Sequence, residues 1–396
     1  MTLPPQQSLQ SYTPFTQQYM SEVIVKPIEQ TPAELRKYVK FGIDLYRGND
    51  CHVPPLIFDE VNTLNPKKNP AFDFCDARSF MAWRDGKPAG RITAIINHEG
   101  NRRTGEKVVR FGFADFIDDD EVVDKLFDAA ISWGREQGME KIVGPMGFSD
   151  MDHEGMLIEG FDELGTMATI YNYPYYQTQI ERLGFKPEAD WVEYRMTVPD
   201  AIPDKYSRIA DIVQRKYDLR VPEIKSRKWL KDNYGQAIFD LINEAYDKLY
   251  GYVPLTDRQI QYYIDMYLGI IRLDTVAIIL DKDDCLVGVG ITLPSLSRAL
   301  QRSHGRMFPL GWFHLLRAIY GHNDIVDLML VAVKPEYQSK GVNSLLFAHL
   351  LPKYIKNGFK WAESNPELAD NSSVQLQWQY FEQRQHRRRR AYSRSI

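Results

Sequence analysis

Cysteine is scarce in this chain. Cys51, Cys75 and Cys285 are the three among 396 residues, and none stands in a CxxC or a Cys/His spacing that could build a zinc site, which excludes a zinc knuckle and a disulfide framework. That usage points to a reducing, cytoplasmic compartment. Apolar runs are short, and none approaches the roughly 18 residues of a membrane-crossing helix. The net charge of −4 lacks the basic excess of a dedicated nucleic-acid binder, and no aromatic platform interleaves the one basic run, HRRRR. The signature GxxxxGK[ST] is absent, which excludes a Walker A loop. Residues 1–20, MTLPPQQSLQSYTPFTQQYM, have neither the basic region nor the apolar core of a secretory signal and read as a flexible arm.

What remains is a globular composition, 44% hydrophobic and 26% charged, in a chain long enough for two cores. Two halves repeat one order of elements. In the first, TPAELRKYVKFGIDLYRG is helical, RSFMAWRDGKPAGRITAIIN is a hairpin about Asp85-Gly86, and KVVRFGFADFI is a strand. EVVDKLFDAAISWGREQG is then a helix ending at Gly138, and KIVGPMG is a strand. In the second, GQAIFDLINEAYDKLYG is helical, TVAIILDKDDCLVGVGITL is a hairpin, DIVDLMLVAV a buried strand, VNSLLFAHLLPKYIKNG a helix and FKWAES a strand. The Pro-containing VPDAIPDKY separates them, giving units at 21–198 and 199–396. The fold class is α+β, with two tandem mixed sheets flanked by helices.

The strand DIVDLMLVAV feeds the turn KPEYQSKG, and the next helix begins near Val342. The free N–H groups of that helix then point across the strand's C-terminal end, an arrangement that favours an anion. Gly341 permits a close backbone approach. Val333, Pro335, Tyr337, Gln338, Lys340 and Gly341 resemble the coenzyme A pyrophosphate loop of the GNAT acyltransferases, [QR]-x-x-G-x-[GA], with Asn343 standing where the family has a small residue. The resemblance implies acyl-CoA contacts from Val331, Val333, Gln338, Ser339, Lys340, Gly341, Val342, Asn343 and Ser344, with Asn371 beyond. At the matching turn the first half has Asp118, Asp119, Asp120 and Glu121, which would repel a pyrophosphate.

The blocks LYRGNDCHVPPL, LNPKKNPAF, GRITAIIN, GPMGFSDMDHEGMLIEGFD and YNYPYY resemble a bacterial double-GNAT group that includes bacterial ceramide synthases. That likeness implies an acyl-CoA-dependent N-acyltransferase acting on an amine, with a long-chain, sphingoid-like amine as one substrate class. A small-molecule N-acetyltransferase using acetyl-CoA and a non-catalytic acyl-CoA or lipid binder are the alternatives. The resemblance carries the general base to Asp327, six residues before Val333, and period-two alternation puts Asp327, Met329, Val331 and Val333 on one face. Glu363 is the second candidate base. The family's leaving-thiol Tyr falls in register on Trp378, so Tyr380 is the nearest candidate. Ser149, Asp152, Asp162, Asn172 and Tyr175 would line the acceptor site. Asp150, Asp152, His153 and Glu154 are too close in sequence to converge on one ion, so no metal is expected.

Residues 294–324 interrupt the second half with Phe308, Leu310, Trp312, Phe313, Leu315 and Leu316 mixed with Arg298, Arg302, Arg306 and Arg317. Such a mixture suits an interfacial helix at the inner membrane face or a helix packed on the core. The HRRRR run, residues 386–390, offers either a grip on CoA phosphates or anionic lipid, or a solvated edge strand, with Arg387 and Arg389 on one face and Arg388 and Arg390 on the other.

Overall fold

The computed structural model describes residues 22–202, 204–269, 271–371, 375, 377–378 and 381–396; the arm at 1–20 and Tyr380 lie outside them. Among the described residues thirteen strands join in one sheet. The first half contributes β1 (Val23–Pro27), β2 (Cys75–Arg84), β3 (Lys87–Asn97), β4 (Val108–Phe116), β5 (Lys141–Gly144), β6 (Met156–Glu159) and β7 (Lys186–Thr197). The second contributes β8 (Val276–Leu280), β9 (Leu286–Pro294), β10 (Ile325–Val333), β11 (Trp361–Ser364), β12 (Glu367–Leu368) and β13 (Gln383–Ser395).

The expected hairpins form. Asp85 and Gly86 both take positive φ, 51° and 75°, the turn geometry that matches the twist of β2 and β3. The helix Asp120–Glu136 starts at Asp119, whose carboxylate accepts the Val122 N–H, and buries Val122, Val123, Leu126, Phe127, Ala130 and Ile131 against the first sheet. The helix Asn343–Asn357 closes on Gly358 at φ 77° and buries Leu345, Leu346 and Leu350 in the second.

Sheet order is β1-β2-β3-β4-β5-β13-β7-β11-β10-β9-β8. In each half a strand pairs in parallel with its successor over a few residues: β4 with β5 at 108–110 and 141–143, β10 with β11 at 325–328 and 361–364. Beyond those residues β10 and β11 part, whereas the chain after β5 is tied back to β4 by the Met146 N–H on the Phe111 carbonyl at 2.8 Å. The halves also exchange their final strands, because β7 lies beside β11 and β13 lies between β5 and β7. The boundary read from the sequence thus follows a strand that the second half flanks on both sides.

This exchange overturns both readings of HRRRR. The run is the middle of β13, and β13 is a central strand rather than an edge. Arg387 and Arg389 are each 1% exposed and converge on Glu193, itself fully buried, with Arg387 Nε 2.8 Å from its carboxylate. Arg388 and Arg390 project from the other face to Asp190, at 2.8 and 2.6 Å. The alternation was legible in the sequence; the partners were not, because they stand on β7, almost two hundred residues earlier.

Candidate active site

The opening between β10 and β11 is built by a bulge. Register between β10 and β9 shifts between Leu328 and Leu330, so one extra residue, Met329, is accommodated. The bulge reverses the facing of every residue after it. Val331 and Val333 therefore join Val326 and Leu328 in the core under the helix Asn343–Asn357, while Leu330 and Ala332 face the helix Arg227–Tyr246. Strict alternation placed Asp327 with Val331 and Val333; the bulge separates them. The Val331 carbonyl accepts from Tyr246 Oη at 2.9 Å, and Asn365 Nδ2 reaches the Met329 carbonyl at 2.7 Å across the opening.

At the C-terminal end of β10 the turn closes on itself. Gln338 Nε2 donates to the Val333 carbonyl at 3.0 Å, which fixes the turn, and Ser339 and Gly341 take positive φ, 58° and 78°. A Cβ on Gly341 would meet Ile209 and Val213 at 3.4 Å, ordinary contact distance, so the backbone conformation rather than space demands glycine here. The N–H groups of Ser339, Gly341 and Val342 meet no acceptor among the described residues. Ser344 Oγ and Asn343 Oδ1 are buried without a hydrogen-bond partner, and no side chain caps the helix. Unpaired donors, a helix N-terminus and the exposed ammonium of Lys340, 5.6 Å from the Tyr217 ring, make a cradle whose electrostatics favour an anion.

Asp327 stands at the closed end of the opening, opposite Glu363 in the β10–β11 pairing. It is 1% exposed, and neither carboxylate oxygen has a partner at good hydrogen-bond geometry; the nearby Ser295 hydroxyl only partly offsets burial. Burial, aided by the neighbouring Glu363 charge, pushes its pKa up to about 8. Glu363 is not free in this way. Its Oε1 accepts from Arg195 Nε at 3.0 Å and its Oε2 from Arg387 Nη2 at 2.8 Å, so taking a proton would disrupt both.

The residues expected at the acceptor site mostly hold their own loops together. Asp152 Oδ2 accepts the N–H groups of Phe148 and Ser149, Asn172 pairs with both backbone groups of Leu157, and Tyr175 Oη donates to the Phe116 carbonyl. Ser149 is buried beside the Tyr263 hydroxyl at 3.4 Å, and Asp162 is exposed. Asn371 is half-buried, its N–H on the Leu368 carbonyl. Trp378, in the register of the expected tyrosine, donates its indole N–H to Glu367 at 2.8 Å.

A solved structure described as a tandem GNAT protein from the clavulanic acid biosynthesis pathway superposes over 94% of this chain and 98% of its own, with TM-score 0.55 at 11% identity. This chain has the tandem GNAT fold. No family model matches it. It is 29% identical over 329 residues, 82% of each chain, to Protein YghO of Escherichia coli (strain K12). It is 27% identical over 301 residues to a protein named Bacterial ceramide synthase from Caulobacter vibrioides (strain NA1000 / CB15N), covering 75% of this chain and 76% of that one.

Within this tandem GNAT fold the first half's own opening is filled. Arg91 bridges Glu60 and Asp115 at 2.7 Å each, all three buried, and a cavity of about 70 Å³ remains beside them. That is far below the several hundred Å³ of a typical ligand pocket. The acidic turn is likewise occupied: Asp119 caps its helix and pairs with Arg84 at 2.6 Å, and Asp118 and Asp120 hold Gln179. Sequence reading missed Tyr246 and Glu367. Burial raises Glu367 to about 8, and one of its oxygens is unpartnered. Neither stands in a motif; burial brings them to the opening, and no sequence signal announces it. Asp150 and Glu154, read there only as metal candidates, are also raised by burial, Asp150 to about 7.

Proposed function

We propose that the second half binds an acyl-CoA and transfers its acyl group to an amine. The observation that carries this reading is the turn at Gln338–Ser344, whose unpaired N–H groups and Ser344 hydroxyl face an anion site at the mouth of the β10–β11 opening. The pyrophosphate would rest there, and the thioester would run along Val333 and Val331 into the opening. The amine nitrogen attacks the thioester carbonyl, the C–N bond forms and the C–S bond breaks. Asp327 takes the ammonium proton and returns it to solvent, the nitrogen's second proton leaves to solvent as the tetrahedral intermediate collapses, and the thiolate regains one from solvent, so one proton is released per turnover. The acceptor enters between the second half and the first half's Ser149–Asp162 loop, which belongs to one wall of the junction.

The acceptor class we favour is a long-chain amine, reached by a cytoplasmic protein in peripheral contact with a membrane surface. Supporting it, the face of β10 and β9 that carries Asp327 continues into an apolar cluster of Leu293, Leu296, Leu300, Leu315, Ile319 and Met329. A chain lodged there would gain about 0.8 kcal/mol per buried methylene. Long-chain acyl-CoA with a long-chain amine should therefore show a higher kcat/KM than acetyl-CoA with a polar polyamine. The reverse order would replace the lipid reading with small-molecule acetylation.

Calorimetry tests the cradle directly. One CoA should bind per chain. Gly341→Asp forces a side chain into a positive-φ position and adds like charge, and should weaken binding about tenfold or more. Asp119→Ala, in the first half's turn, should leave CoA affinity unchanged. Two equivalent sites, or an unaffected Gly341→Asp, would overturn the assignment.

A further inference from the structure

The insertion between β9 and β10 folds into two helices, Ser297–Ser303 and Gly311–Tyr320. Gly311, Leu315 and Ile319 of the second helix face the protein, where Leu315 and Ile319 pack with Leu293, Leu300 and Met329. Trp312, Phe313, Leu316 and Tyr320 project from the other side at helical spacing, exposed by 42%, 49%, 46% and 55%. The linker before it adds Phe308 at 77% and Leu310 at 62%. Six large apolar residues so clustered are more than the scattered exposure of an ordinary surface.

Charge decides what this face would meet. Residues 294–323 contain no Asp or Glu, and their four arginines, Arg298, Arg302, Arg306 and Arg317, are all exposed. Arg298 donates to Gln301, and none of the four forms an ion pair among the described residues. A second copy of the chain would bring the same positive charges against one another, whereas an anionic lipid surface would neutralise them. Exposed aromatic side chains in a segment whose only charged residues are arginines suit the headgroup boundary of a bilayer. No described helix is long and apolar enough to cross one, so the face would lie on the membrane.

We propose that the exposed face of residues 308–320, with Arg298, Arg302, Arg306 and Arg317, docks the protein on an anionic lipid bilayer. The opposite side of the same helix, Leu315 and Ile319, packs on the cluster proposed to lie along the acceptor route. Gln301 of the first helix donates to the carbonyls of Asp50 and His52, Ser297 donates to that of Gly165, and the Ile57 N–H reaches that of Gly305, so the insertion also clamps first-half loops. The benefit of this position rests on the long-chain-amine reading; the docking itself does not.

Flotation of the whole chain with phosphatidylcholine vesicles, with and without phosphatidylglycerol and without substrates, is the test. Binding should be at least about tenfold tighter with phosphatidylglycerol and should fall as salt rises. Trp312→Ser with Phe313→Ser should lose at least about tenfold of it, and Arg302→Ser with Arg306→Ser should remove most of the preference for anionic lipid. Both double variants change exposed side chains, so melting temperature and CoA affinity should be unchanged. Equal binding to both vesicle types, or full binding by the variants, would overturn the proposal. Self-association abolished by Trp312→Ser with Phe313→Ser would also overturn it and assign the face to a dimer. Vesicle binding without acylation of any long-chain amine would leave the docking face standing and defeat the substrate reading alone.

Discussion

Glu193→Ala should destabilise the protein by about 3–5 kcal/mol, because it leaves the buried Arg389 guanidinium with no carboxylate partner and the buried Arg387 with Glu363 alone. Arg387 and Arg389 come from β13 and Glu193 from β7, so the loss falls on the exchanged strands that bind the halves together. Burial alone would raise the Glu193 pKa, but the two guanidiniums outweigh it and hold it below its ordinary value. Its contribution is then present above the unfolded-state value of about 4.3 and is lost as pH falls through the depressed folded value. The deficit of Glu193→Ala in urea unfolding should accordingly narrow under acid. Arg388→Ala, whose pair with Asp190 is partly exposed, should cost no more than about 1 kcal/mol. Equal small losses from both variants would show that the ladder does not hold β13 in place.

Local patterns carried the fold far. Asp85-Gly86 specified its hairpin because positive φ at both positions is a property of those two residues, and the Gly358 terminus followed from the same chemistry. The conformation of the turn at Gln338–Gly341 was legible because a short motif encodes its backbone geometry, positive φ at Ser339 and Gly341. Two things were not legible. The bulge at Met329 changes facing without changing composition, so alternation put Asp327 on the wrong side relative to Val331. The strand exchange depends on Glu193 and Asp190 meeting β13, a pairing that no window of sequence contains. The acceptor candidates Ser149 and Asp152, drawn from one block, and Asn172, drawn from another, each hold loop backbone by hydrogen bonds that the blocks themselves do not announce.

Asp327→Asn should lower kcat by about 10²-fold or more near neutral pH while leaving CoA affinity almost unchanged. The substitution keeps the shape of the side chain and removes its capacity to take a proton from the incoming ammonium. For the wild type, kcat/KM should rise with pH through a midpoint near the Asp327 value of about 8, since the free carboxylate is the active form. That limb should vanish in Asp327→Asn, with partial recovery at high pH where the amine loses its proton unaided. Stability should move the opposite way. A folded-state pKa raised from about 3.9 means that Asp327 favours folding fully below the unfolded value and progressively less as pH rises to about 8. Thermal unfolding should therefore show Asp327→Asn gaining on the wild type between those limits and holding a constant lead above them. Glu363→Gln supplies the control. Removing the Glu363 charge relieves one of the two causes that raise Asp327, so the rising limb should shift to lower pH, and the freed Arg195 and Arg387 should make the protein less stable. If Glu363→Gln abolishes turnover while Asp327→Asn keeps the wild-type profile, the proton acceptor is Glu363. If both retain full activity across the pH range, the amine is deprotonated by solvent before it reaches the opening, and the buried carboxylates only position it.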